Sequence, residues 1–232
     1  MTGVPISETS ASQRWGQGLF SAEELAVYDH YRRAGRTPFP WDACALLIVD
    51  VTESFVGPKL PTLEASALMR TACGLPGWDA LPVIRRLQDA FRAARRPILY
   101  TVPSRESEMF VGGTTIGGTA GPVDDSIPAL VAPTVDEPVF RKPKASAFYG
   151  VPLAAYLVRK GVRGIVLAGA TTSGCVRAST IDASSAGYEV ALVADACFDR
   201  SPLSHAVALF ELDVKYATAM LSTEVLPNVR AR

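Results

Sequence analysis

The sequence predicts an α/β fold, with a single parallel sheet covered by helices on both faces. Short apolar runs of strand length recur along the chain, amphipathic segments of helical length separate them, and several runs end in polar or charged residues. Strands alternating with helices of this length imply right-handed βαβ units, hence parallel pairing. Six strand candidates give a single-domain three-layer α/β/α architecture with a mainly parallel six-stranded sheet.

In chain order, residues 1–20 are small and polar, and are expected to drape over the domain or a neighbouring subunit. SAEELAVYDHYRRAG (21–35) opens with a capping box, Ser21 with Glu24 three residues later, and closes at Gly35, so a helix is expected. Residues 1–40 then form an N-terminal extension and 41–232 the main domain. ACALLIVD (43–50) reads as a central strand buried on both faces. Over 78–94, Leu81, Ile84, Leu87 and Phe91 share one helical face. PILYTV (97–102) is the second strand, the Gly-rich stretch 111–121 a loop or lid, and EPVFRK (137–142) the third strand. A helix over 151–161 and the strand GIVLAGA (164–170) follow. A helix over 175–187, a strand over 188–195, a helix over 202–213 and a strand over 216–222 complete the series.

Composition narrows the function. Apolar residues make up 48 % of 232 and charged residues 20 %, enough for one well-filled domain. Net charge is zero, with Lys and Arg scattered, so neither nucleic acid nor a membrane surface is an expected partner. There is no signal-peptide pattern and no apolar run near the roughly 18 residues that span a bilayer, so a cytoplasmic protein is expected. The four cysteines (Cys44, Cys73, Cys175, Cys197) lack CxxC spacing and read as free thiols. Histidine is scarce, with only His30 and His205, which starves a His-based metal site or a Cys–His dyad.

Ligands of open parallel sheets bind beyond the C-terminal strand ends, so reactive side chains there matter most. Asp50 ends the first strand. Alone it is a helix cap or a general base. Lys142 ends the third, where a lysine is solvated or serves as an electrostatic partner. Cys175 follows the fourth through GATTSG, with Thr172 or Ser173 placed to cap the next helix. Its sulfur is either a buried apolar group or a thiol in a first helical turn, where the dipole favours thiolate. Together the three supply a nucleophile, a cation and a proton carrier for acyl transfer. His205, in SPLSHAVALF, reads as a packing or capping residue.

These motifs resemble those of the isochorismatase-like cysteine hydrolases, over about residues 40–225. LLIVDVTESF is similar to that family's first-strand motif, RKPKASAFYG to its K-x-x-x-S-A-F motif, and GATTSGCVRAS to its nucleophile segment. The resemblance implies a Rossmann-like strand order, Asp50 as general base, Lys142 as electrostatic partner and Cys175 as nucleophile. It also implies a cis peptide at Ala170–Thr171 and an oxyanion hole from the backbone of Thr171 and Cys175. Thr52 stands where the family often has Gln.

TVPSRESEMF, after the second strand, holds no histidine, unlike the metal-binding nicotinamidase branch, so no metal or cofactor is expected. The wording KPKASAF is nearest the N-carbamoylsarcosine and maleamate amidases. That likeness implies Arg200 as a substrate-carboxylate anchor, with Phe55, Phe148 and Tyr149 as pocket walls. It also implies a small-molecule substrate and a homo-oligomer, dimer or tetramer. Arg177 is expected against neighbouring structure or at a subunit interface. The expected activity is C–N hydrolysis of a small carboxylated amide or carbamoyl compound with release of ammonia. A vinyl-ether hydrolase or an idle scaffold are the alternatives.

Overall fold

The computed structural model describes residues 12–31, 37–104 and 124–229. Six strands form one sheet: β1 (Cys44–Val49), β2 (Ile98–Pro103), β3 (Val139–Lys142), β4 (Gly164–Ala170), β5 (Glu189–Phe198) and β6 (Thr218–Met220). They run in the order β3-β2-β1-β4-β5-β6, and every pair is parallel. The order reverses direction at β1, which places the crevice for a ligand beyond the ends of β1 and its neighbours.

β1 explains why the sheet needs cover on both faces. Cys44, Leu46 and Ile48 enter one core and Ala45, Leu47 and Val49 the other, and all six residues are buried. The first core is closed by α4 (Leu75–Ala93), whose Leu81, Ile84, Leu87 and Phe91 are all at or below 1 % exposure. Burying each contributes about 1.5–3 kcal/mol. The helix starts three residues before the expected Trp78, because Gly74 takes φ 69° and Pro76 fits a first turn that needs no donor. The opposite core is closed by α5 (Leu153–Arg159), α6 (Arg177–Ser185) and α7 (Pro202–Lys215). Among the described residues no helix is long and apolar enough to cross a membrane.

α1 (Ala22–Tyr31) has the expected capping box: Ser21 N donates to Glu24 Oε2 and Glu24 N to Ser21 Oγ. The helix and the segment before it lie against α7, with the Tyr28 ring 4.8 Å and the Phe20 ring 4.4 Å from Phe210. Arg14 donates through both terminal nitrogens to Glu224. Short helices α2 (Glu53–Val56), α3 (Thr62–Leu68) and α8 (Ser222–Val225) were not expected, since four to seven residues leave little periodicity to read. The Gly-rich stretch 111–121 lies outside the described residues.

β5 runs three residues past its expected end at 195. Its register against β4 slips between Leu167↔Leu192 and Gly169↔Cys197, so ACF pairs afresh with the end of β4. At that end Gly169 takes φ +120°, and a Cβ there would sit 2.1 Å from Val49 O. Only glycine lets β4 lie this close to β1.

Candidate active site

Three of the residues expected to react meet at the C-terminal end of the sheet. Asp50 leaves β1 with φ 50°, a left-handed conformation that Asp tolerates better than most residues. Its N–H donates to Thr101 O, and its carboxylate turns inward and is fully buried. Lys142, the last residue of β3, reaches past the end of β2. Its Nζ lies 2.6 Å from Asp50 Oδ2 and donates to Lys144 O at 3.0 Å. Cys175, half-buried, follows β4, and its thiol interacts with both Asp50 and Lys142.

Burial holds the Asp50 carboxyl above its ordinary range, against the pull of Lys142, Cys175 and Thr101. Burial works against the Lys142 ammonium, but the Asp50 carboxylate and the Cys175 sulfur outweigh it and keep the group charged. The Cys175 thiol is pushed up to about 12, by burial first and then by Asp50, with Lys142 opposing. Desolvation beside a carboxylate exceeds the help of a helix start, so the sulfur rests protonated beside a base.

The local chain differs from a plain helix start. Thr172–Val176 form a π-helical turn, broken at Gly174 (φ −112°, ψ −105°), before α6 begins. No side chain caps it. Thr172 Oγ1 instead meets His205 Nδ1 at 2.8 Å, and Ser173 Oγ donates to Asp199 Oδ2 at 2.7 Å. The peptide Ala170–Thr171 is cis. One turn into the helix, Ser179 Oγ donates to Cys175 O and accepts from Ala147 N, which ties the KASAF segment to the cysteine turn.

The other expected site residues scatter. Arg200 sits just beyond β5, but its guanidinium is held at the α3–α4 connection, where Nη1 donates to Thr71 O at 2.9 Å. Phe55 lies in α2 inside the first core at 5 % exposure. Phe148 is half-buried, with its ring 6.1 Å from Tyr188, and Tyr149 is 49 % exposed. Arg177 pairs with Glu211 of α7 within the chain. Thr52 is fully buried, and its hydroxyl has no hydrogen-bond partner among the described residues.

Sequence reading missed Thr101, whose Oγ1 donates to Asp50 Oδ1 at 3.0 Å. Its signal was register: Thr101 pairs with Val49, one residue before the acid. Asp199 and His205 were missed as supports of the cysteine turn, and no spacing in the chain marks them. Among the described residues no group of three or more His, Cys, Asp or Glu could hold a metal ion.

Comparison with known proteins agrees with this fold. A family model described as isochorismatase domain matches residues 44–224. The chain is 39 % identical over 100 residues to maleamate amidohydrolase of Pseudomonas putida, 43 % of this chain and 47 % of that protein. It is 29 % identical over 168 residues to N-carbamoylsarcosine amidase of Arthrobacter sp., 67 % of this chain and 64 % of that enzyme. The matched stretches thus span about half and just under two thirds of these two relatives. A cysteine hydrolase from Pseudomonas syringae pv. phaseolicola superposes with a TM-score of 0.70 at 19 % identity, over 84 % of this chain and 95 % of that one, a likeness of fold.

Proposed function

The chain belongs to the isochorismatase domain family, and from that premise we propose that it hydrolyses a C–N bond of a small carboxylated amide or carbamoyl compound through Cys175. The observation that carries the reading is the cluster of buried Asp50 and Lys142 with half-buried Cys175 at the ends of β1, β3 and β4. The names of the two amidase relatives support an amide rather than a vinyl ether.

Asp50 takes the proton from Cys175 as Sγ bonds to the carbonyl carbon, so no free thiolate accumulates at rest. Lys142 opposes the burial that favours protonated Asp50, and then faces the developing charge. The carbonyl oxygen, now negative, sits against the N–H groups of Thr171 and Cys175. The C–N bond breaks, and Asp50 passes its proton to the departing ammonia. Water then attacks the thioester carbon and gives a proton to Asp50. The C–S bond breaks, the acid leaves and the proton returns to sulfur. Arg200 anchors the substrate carboxylate through guanidinium N–H groups not committed to Thr71 O.

An ammonia-release screen over small ureido acids, maleamate-like amides and simple amides tests this reading. Release from carboxylated members, abolished by Cys175→Ala, is expected. No release from any member, or full release by the variant, contradicts it.

A further inference from the structure

The end of β5 supplies a second kind of residue to this site. β4 and β5 pair up to Gly169↔Cys197 and Ala170↔Phe198, so the residues after each strand, Thr171 and Asp199, emerge side by side. Asp199 is buried at 7 % exposure. Its Oδ2 accepts from Ser173 N at 2.8 Å and from Ser173 Oγ at 2.7 Å, while Oδ1 accepts from Arg200 N at 2.8 Å. Ser173 stands two residues before Cys175. Beside it, Thr172 meets His205, which sits in the first turn of α7.

The turn needs such a hold. Gly174 leaves helical geometry, and a Cβ there would lie 2.7 Å from Thr171 Oγ1, so the backbone is tightly folded, with Gly174 N and Val176 N both donating to Thr171 O. We propose that Asp199 is a positioning residue for Cys175: by clamping Ser173 from β5 it sets where the sulfur stands relative to Asp50 and Lys142. The clamp acts through the turn and touches no substrate. Its kinetic consequence rests on the reading of Cys175 as nucleophile. A displacement of about 1 Å in reacting groups costs on the order of 100-fold in rate.

The same strand contains a matched control. Asp195 accepts from Ser222 N at 2.7 Å and from Ser222 Oγ at 2.6 Å, the same double contact, but its partner opens α8 rather than the cysteine turn. Asp199→Ala, Asp195→Ala and Ser173→Ala should therefore be compared with the full-length parent by two readouts. One is kcat for ammonia release. The other is the pH midpoint of Cys175 alkylation by iodoacetamide, which needs no substrate.

Asp199→Ala should lower kcat about 100-fold and move the alkylation midpoint from near 12 toward the ordinary thiol value of about 8.5. Asp195→Ala should leave both close to the parent. Ser173→Ala, which removes one hydroxyl contact and serves if Asp199→Ala does not fold, should lower kcat about 5-fold. An Asp199→Ala protein whose kcat and midpoint match those of Asp195→Ala overturns the clamp, as does an unaltered Ser173→Ala if Asp199→Ala fails to fold. If the parent hydrolyses no amide, the amidase reading fails, while the alkylation midpoints still decide the clamp.

Discussion

Lys142 Nζ stands 2.6 Å from Asp50 Oδ2, and the two side chains are only 3 % and 1 % exposed. A charge pair this deep gains little net stability over apolar residues, but losing one partner strands the other. Lys142→Ala should destabilise the protein by about 3–5 kcal/mol, and Asp50→Leu/Lys142→Met should recover most of that loss. Chemical denaturation at neutral pH is the measurement. A single variant within about 1 kcal/mol of the parent would show that the pair is not desolvated.

The pair also fixes an alkaline limit. The Lys142 pKa is raised on folding, so its contribution is complete below the unfolded value of about 10.4 and is lost as pH rises through the higher folded value. Urea midpoints should fall more steeply above about pH 10.4 for the parent than for Asp50→Leu/Lys142→Met. Equal slopes would contradict the raised value.

Cys175 should alkylate slowly at pH 7 and keep accelerating beyond pH 10, because its thiol is pushed up to about 12. Cys44, Cys73 and Cys197 are buried, so the signal belongs to Cys175. A rate plateau by pH 8 would mean a resting thiolate and a different proton path.

Gly169→Ala should cost at least about 3 kcal/mol or prevent folding, since its Cβ would collide with Val49 O at 2.1 Å and φ is +120°. Gly187→Ala is the comparison: φ is +86° there, but no atom lies within 4 Å of its Cβ. That change should cost only about 1 kcal/mol. Similar losses for both would remove the packing argument at β1 and β4.

Arg200→Ala should raise KM for carboxylated amides about 10-fold or more, with kcat little changed, as a charged hydrogen bond contributes about 1.5–3 kcal/mol. Amides lacking a carboxylate should be indifferent. An equal effect on both kinds would assign Arg200 to holding the α3–α4 connection through Thr71 O alone.

Much of this was readable in the chain. Buried runs such as ACALLIVD and GIVLAGA announce a parallel sheet, because only a strand covered on both faces is apolar throughout. Asp50, Lys142 and Cys175 could be chosen because each ends or follows such a run. What escaped depends on register and on side-chain direction. Thr101 reaches Asp50 because β2 is aligned with β1 by one particular pairing, and Asp199 reaches Ser173 only after a register slip in β5. The raised thiol has a related cause: helix position is local, whereas burial beside Asp50 is set by three strands at once.

The most direct test of the central claim is intact-protein mass spectrometry after rapid acid quench of enzyme mixed with a substrate from the ammonia screen. A covalent acyl adduct that maps to Cys175, and is absent with turnover abolished in Cys175→Ala, is the predicted result. Continued hydrolysis by Cys175→Ala, or an adduct on another residue, would contradict it.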